Sequence, residues 1–125
     1  MARATDLLGA GFAPAQVQAI DGGTPATALS AAGTTLATAT ALTSAINLVS
    51  TAAASSGVAL PNPSNVGDQI VVYNDGTGNS FYVYPEVSAN KINQLAAGAG
   101  FLLGNNTFAT LQKVTATRWL ADLSA

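Results

Sequence analysis

Chemically reactive side chains are scarce in this sequence of 125 residues, which contains no histidine and no cysteine. Histidine is the commonest metal ligand and general base, while cysteine supplies disulfides and thiolate ligands. The remaining candidate acids and bases are six carboxylates: Asp6, Asp21, Asp68, Asp75, Glu86 and Asp122. No pair among them has a spacing that indicates acid and base catalysis, so the sequence predicts a protein that is not an enzyme.

Asp75 and Glu86 have the one spacing that suggests a metal site. They stand at the first and twelfth positions of a segment with the length of an EF-hand calcium loop. Thr77 and Ser80 occupy the third and sixth positions, where that loop needs an acid or amide and a glycine. Because the intervening residues also alternate like a β-strand, we predict neither a metal site nor a cofactor.

A stretch of 46 residues, 22–67, contains no charged and no aromatic side chain. The surface of a soluble monomer is typically a quarter or more charged, and this stretch is too rich in Thr, Ser and Gly to span a membrane. We therefore predict that copies of the same chain cover it. The candidate oligomer interface residues are Leu36, Thr40, Leu42, Ala45, Ile46 and Leu48.

The charge balance argues against several other partners. The net charge is −2, and the four cations, Arg3, Lys91, Lys113 and Arg118, are too scattered to form the basic stripe that nucleic acid requires. Residues 41–60 are the most apolar window, but Ser, Thr and Asn interrupt it, so no membrane association is expected. No signal peptide is visible at residues 1–20, so we expect no export by the general route.

Residues 1–21 are predicted to form a short helical hook. Thr5 or Asp6 can cap one turn, and Pro14 suits the first position of the next. The hook is more apolar than a free terminus should be, so it is expected to dock either on another chain or on its own domain. Its apolar residues are Leu7, Leu8, Phe12, Val17 and Ile20.

The rest of the chain reads as β-structure. Residues 22–57 are predicted to be extended, with turns at Gly33 and residues 55–57, and to form one folded unit with a β core at residues 58–125. In that core, residues 68–73 and 80–84 are predicted to pair as a hairpin, and residues 108–114 and 118–123 as a second one. The predicted fold class is mainly β, as an antiparallel β-sandwich or small barrel.

Several turn and strand motifs carry a resemblance to a known family. They are DLLG at residues 6–9, FAPAQVQAI at 12–20, an Ala/Thr tract through Leu42, VGDQIVVYN at 66–74, VYP at 83–85, INQLAAG at 92–98 and TRWLADL at 117–123. With these motifs the sequence resembles small virion proteins of tailed bacteriophages that decorate or cement the head.

The resemblance implies a structural protein, commonly a homotrimer, that is made in the cytoplasm of the host bacterium and anchored by one end on the outer surface of the capsid. Its partner would be the major capsid protein, and the hook residues would dock there. The family includes head-fibre and decoration types, and the uncharged stretch suits a three-fold interface.

Two other classes stay open. A tail-fibre or receptor-binding module that recognises carbohydrate on the host surface would be favoured if Tyr82 and Tyr84 formed an outward groove with Asn and Asp side chains, because tyrosine can stack on a sugar. An enzyme would be favoured if Asp68, Asp75 and Glu86 converged in one pocket. Cross-strand packing is the simpler interpretation of the two tyrosines.

Overall fold

The computed structural model describes residues 25–124 of the chain, and this range is mainly β. One turn of 3-10 helix, Leu36–Thr38, is the helical element of the range. The strands are β1 (Ala26–Ser30), β2 (Thr40–Ala41), β3 (Ile46–Thr51), β4 (Gly57–Ala59), β5 (Gln69–Asn74), β6 (Phe81–Tyr84), β7 (Lys91–Ile92), β8 (Phe101–Leu103), β9 (Phe108–Thr115) and β10 (Arg118–Leu123). The predicted hook lies outside the described residues.

The first six strands alternate between two sheets. Strands β1, β3 and β5 lie side by side and parallel in a six-stranded sheet, while β2, β4 and β6 do the same in a four-stranded sheet. Each pass of the chain thus adds one strand to each sheet, and three passes stack as the turns of a solenoid do.

The last four strands close this stack mainly by antiparallel pairing. Strand β8 pairs with β6 in the four-stranded sheet, and β9 pairs with β5 in the six-stranded sheet. Strand β10 then pairs antiparallel with β9 and parallel with the short edge strand β7.

One hydrophobic core joins the inner sides of both sheets. In β5 and β9 every second residue is buried, because successive side chains of a strand point to opposite faces. The largest fully buried side chains are Trp119, Phe81, Leu42, Leu60, Ile92, Leu103 and Leu111. The burial of Trp119 removes a large apolar surface from water. Such burial stabilises the fold by about 25 cal/mol per Å² of apolar surface.

The predicted hairpin of residues 108–114 with 118–123 is confirmed by the pairing of β9 with β10. The other predicted hairpin is wrong, because β5 and β6 lie in different sheets. An antiparallel sandwich or barrel is therefore also wrong as a description of the first six strands, which wind as parallel turns. Alternation in a sequence assigns the two faces of a strand but does not say which strand pairs with it.

The side chain of Asn74 explains why the chain crosses between the sheets after β5. Its Nδ2 donates to the carbonyls of Asn79 (2.7 Å) and Leu103 (3.2 Å), and its Oδ1 accepts a hydrogen bond from Thr77 Oγ1 (2.7 Å). Asn74 is fully buried, so these bonds replace the water that its amide loses. The 74–79 segment is consequently fixed as a crossing turn and not as a hairpin turn.

Candidate interaction surface

An exposed apolar surface lies on the outer side of the six-stranded sheet. Leu48 of β3 is opposite Tyr73 of β5, which is opposite Phe108 of β9, and Ile46 is opposite Val71 in the adjacent row. The residues that alternate with them along the strands, such as Val49, Val72 and Ala109, are buried in the core. We call Ile46, Leu48, Val71, Tyr73 and Phe108 the apolar face.

The apolar face spans three neighbouring strands, β3, β5 and β9, and is open to solvent. Ile46 is 47% exposed and Phe108 is 44% exposed, while Leu48, Val71 and Tyr73 are half-buried. Tyr73 and Phe108 meet edge to face, with ring centroids 6.5 Å apart. A contiguous apolar patch of this kind marks an interaction surface more often than an isolated exposed leucine does.

Charged side chains are confined to the border and the interior of this sheet. Strands β1, β3 and β5 contain none, and neither does any strand of the four-stranded sheet. Lys113 of β9 points inward and is buried, whereas Asp122 of β10 lies beside Thr110 at the margin of the apolar face. The apolar face therefore has the depletion of charge at its centre that is typical of protein interfaces.

The predicted interface residues fall in different places. Ile46 and Leu48 lie together on the apolar face, and Ala45 precedes β3 and packs against the core. Thr40 donates a hydrogen bond from its hydroxyl to the carbonyl of Ser30 (2.6 Å). Leu42 is only 2% exposed and belongs to the core, so its side chain is occupied within the chain.

The remaining predicted interface residue, Leu36, lies half-buried in the 3-10 turn. The predicted capsid-docking residues, Leu7, Leu8, Phe12, Val17 and Ile20, are outside the described residues. Sequence reasoning missed Tyr73 and Phe108, because it followed the charge-free stretch, which ends before Asp68. Their alternation with buried neighbours was the available signal.

A groove of about 730 Å³ opens beside the four-stranded sheet. It lies next to the edge strand β2, and its walls come from the 3-10 turn, from β2 and β4, and from the segments that follow β4 and β6. Most of its lining is apolar: Leu36, Ala39, Ala41, Leu42, Leu60 and Val87 are among the residues that line it. We call this feature the β2 groove.

Glu86 is the centre of a buried polar cluster. Its carboxylate accepts hydrogen bonds from Ser64 Oγ, Asn90 Nδ2 and Trp119 Nε1 (2.9 Å), and forms an ion pair with Lys113 Nζ at 3.2 Å. The side chains of Glu86 and Lys113 are 3% and 8% exposed. The cluster thus fastens the segments after β4 and β6 to strands β9 and β10.

The ionised form of Glu86 is favoured inside this cluster. Burial by itself opposes ionisation, but the hydrogen bonds from Ser64, Asn90, Lys113 and Trp119 together outweigh it and hold the pKa of Glu86 below its usual value. Lys113 also lies 5.9 Å from the centre of the Trp119 ring, within reach of a cation–π attraction.

The residues that suggested chemistry are not brought together. Asp75 is exposed in the crossing turn, Asp68 accepts a hydrogen bond from the backbone N–H of Asn65, and Glu86 is occupied by its cluster. Between residues 25 and 124, no three Asp or Glu side chains are grouped so that they could hold a metal ion. The same part of the chain has no helix long and apolar enough to cross a membrane.

Tyr82 and Tyr84 do not form an open platform for stacking. Tyr84 is 8% exposed, and its hydroxyl donates a hydrogen bond to the carbonyl of Thr34 (3.2 Å). Tyr82 is half-buried and packs closely on the backbone of Gly100. A Cβ atom added to Gly100 would lie 2.7 Å from the Cβ of Tyr82. The two rings, with centroids 6.1 Å apart, pack mainly on their own chain.

A smaller hollow of about 470 Å³ lies on the outer side of the six-stranded sheet, at β9 and β10. Thr110, Gln112, Leu120 and Asp122 contribute to its lining. Asn93 also lines it, but its amide is engaged, because Oδ1 accepts from the N–H of Ala121 (2.9 Å) and Nδ2 donates to the Ala121 carbonyl. The hollow therefore offers a hydroxyl, an amide and a carboxylate beside an apolar side chain.

No protein-family model matches the chain, and no curated protein sequence matches it either.

Proposed function

We propose that this protein is a non-enzymatic structural protein of a tailed-bacteriophage virion, which binds the outer surface of the capsid as a homotrimer and stabilises the shell. The apolar face is the observation that carries the proposal. A chain that leaves Ile46 and Phe108 exposed to water gains stability when a second protein surface covers them.

Self-association is the part of the proposal that the fold supports most directly. Specific interfaces bury more than about 1,000 Å² in total and have an apolar centre with a polar rim. The apolar face has this composition, since Gln69, Gln112 and Asp122 surround it on β5, β9 and β10. The sequence resemblance to trimeric decoration proteins is what selects three copies and the capsid as the assembly.

The cement role has a thermodynamic reason. A ligand that binds only the assembled shell lowers its free energy by RT ln(1 + [L]/Kd), which is about 2.7 kcal/mol per site at a hundredfold excess over Kd. Repeated over many sites on a capsid, this contribution resists rupture. Because the described surface carries few charges, apolar contact is expected to dominate the binding.

The deciding experiment compares the rupture temperature of particles with and without the protein, and then repeats the binding at 1 M salt. We expect particles that carry the protein to rupture at a higher temperature, and the binding to persist at 1 M salt, where charges are screened within about 3 Å. Equal rupture temperatures would reject the cement role. Release by salt would reject attachment through apolar contacts.

The hollow of about 470 Å³ at β9 and β10 favours a second candidate function. This candidate is a tail-fibre or receptor-binding module that recognises host-surface carbohydrate. Sugar hydroxyls need a few convergent polar groups beside an apolar surface, and Thr110, Gln112 and Asp122 lie there beside Leu120. Glycan-array binding that is lost in Gln112→Ala and retained in Gln69→Ala would favour this candidate. An array without any binding would reject it.

A further inference from the structure

The β2 groove is a second apolar surface, separate from the apolar face, and it is well suited to bind a peptide segment. Its volume of about 730 Å³ falls within the range of about 300–1,000 Å³ that is usual for ligand pockets. Ala37, Ala39 and Ala41 provide small side chains along one wall, which leaves room for larger apolar side chains to enter.

The charge of the groove limits what can occupy it. Glu86 is the one charged residue in its lining, and the carboxylate of Glu86 is already engaged by Lys113 and by three hydrogen bonds. A charged occupant would find no partner there, and its desolvation would oppose binding. The occupant that fits is therefore an uncharged, apolar segment.

The chain itself contains such a segment close to the groove in sequence. Residues 7–20 carry no charge and include Leu7, Leu8, Phe12, Val17 and Ile20. Only residues 21–24 separate this segment from Pro25, where the described fold begins. Four residues can span up to about 14 Å.

The winding of the solenoid places the start of β1 on the side of the groove. Ala26 of β1 is opposite Asn47 of β3, so the chain enters the fold beside the segment that connects β2 with β3. Leu42 and Thr43 of that connecting segment line the groove. The short linker of residues 21–24 keeps residues 7–20 at a high effective concentration near the groove of their own chain. Docking within one chain is therefore favoured over docking on a neighbouring chain.

We propose that residues 7–20 occupy the β2 groove of their own chain. The sequence left two places open for these residues, another chain or their own domain, and the groove supplies the second. The placement does not rest on the proposed virion function, because it can be tested on the isolated protein, and its failure would leave that function untouched.

Engineered disulfides test the placement directly, because the chain has no native cysteine. Phe12→Cys and Val17→Cys are each combined with Ala41→Cys in the groove wall. The matched control combines the same two residues with Ala54→Cys, an exposed position in the connection from β3 to β4. A disulfide requires Cα atoms within about 7 Å, so a faster rate with Ala41→Cys than with Ala54→Cys reports that the segment is more often near the groove.

We expect at least one Ala41→Cys pair to form its disulfide about tenfold faster than its Ala54→Cys control. The product should be a single chain whose mass is lower by two hydrogens. Equal rates for the two sites would overturn the proposal. A covalent dimer as the main product would overturn docking within one chain and would place the segment on a neighbouring copy.

Hydrogen exchange gives a second measurement on the chain without added thiols. We expect the amides of residues 7–20 to be protected, and to exchange about tenfold faster in Ala41→Asp, because the added carboxylate has no cation in the groove. Amides of β5 and β9 should exchange equally in both proteins, which controls for unfolding. Unprotected amides at residues 7–20 in the unmodified chain, or unchanged protection in Ala41→Asp, would overturn the proposal.

Discussion

Trp119 donates its indole Nε1–H to the carboxylate of Glu86 across 2.9 Å, although 33 positions separate the two residues in the sequence. Lys113 reaches the same carboxylate from β9, and Ser64 and Asn90 complete its hydrogen bonds. Because Ser64, Lys113 and Trp119 come from three other parts of the chain, Glu86 couples the segments after β4 and β6 to strands β9 and β10.

Removal of one partner of the buried ion pair should be costly. Lys113→Met leaves the Glu86 carboxylate without its cation, and we expect the free energy of unfolding to fall by about 3–5 kcal/mol. Lys91→Met, which removes a positive charge from β7, is the matched control and should change it by about 0.5 kcal/mol or less. Urea unfolding followed by the fluorescence of the chain's one tryptophan, Trp119, measures both.

The two partners of the pair should also couple. The double variant Glu86→Gln with Lys113→Met has no unpaired buried charge, so its cost should be smaller than the sum of the two single costs. Strict additivity in this double-mutant cycle would show that the ion pair contributes nothing to stability.

Stability should depend on pH through Glu86. The pKa of Glu86 is lowered in the folded state, so the cluster stabilises the fold fully above the ordinary glutamate pKa of about 4.3. This contribution is lost as the pH falls through the lowered folded-state pKa, because the protonated side chain no longer pairs with Lys113.

Unfolding free energies measured from pH 7 down to pH 2 should therefore decline more steeply below about pH 4.3 for the unmodified chain than for Glu86→Gln. Identical pH profiles for the two proteins would contradict a lowered pKa of Glu86 in the folded state.

The crossing turn should depend on the amide of Asn74. Asn74→Ala removes three hydrogen bonds and leaves the carbonyls of Asn79 and Leu103 without this donor, so we expect a loss of about 1–3 kcal/mol. Asn105→Ala is the control, because Asn105 is exposed and its Oδ1 accepts a single bond from Gly78 N–H. Thermal unfolding in which both variants lose the same stability would count against this role of Asn74.

The apolar face should be the surface through which copies associate. Ile46→Lys places a charge on this face, opposite Val71 of the neighbouring strand, and we expect the proposed trimer to dissociate, because a charge buried in an interface without a partner is strongly unfavourable. Leu102→Lys is the matched control, because Leu102 is 53% exposed on β8 of the other sheet. Sedimentation velocity at micromolar concentration measures both, and dissociation by Leu102→Lys alone would move the interface to the four-stranded sheet.

Local features of the fold were predictable from the sequence, and pairing over longer distances was not. The hairpin of β9 and β10 was predicted because its strands are adjacent and a short turn joins them. The parallel neighbours of β3 and β5 are about 20 residues or more away in sequence, and no local pattern specifies them. The bond from Asn74 to the carbonyl of Leu103 and the cluster at Glu86 connect distant residues, so composition could not reveal them.

The candidate surface was predicted in part for a similar reason. The absence of charge pointed to Ile46 and Leu48, which do lie on the apolar face. It also pointed to Leu42, which directly follows β2 and donates its backbone N–H to the carbonyl of Ala59 in β4. The side chain of Leu42 is in the core. Charge counting cannot separate a residue that faces inward from one that faces outward.

The stacked turns also bear on how a chain of this kind can change in length. Corresponding positions of successive turns, Ala26, Asn47 and Val72, are 21 and 25 residues apart, and each turn pairs only with its neighbours. A duplicated segment of that length between β2 and β3 would add one strand to each sheet without disturbing β9, β10 or the Glu86 cluster. Evolution can therefore lengthen such a protein by whole turns while the closing strands stay the same.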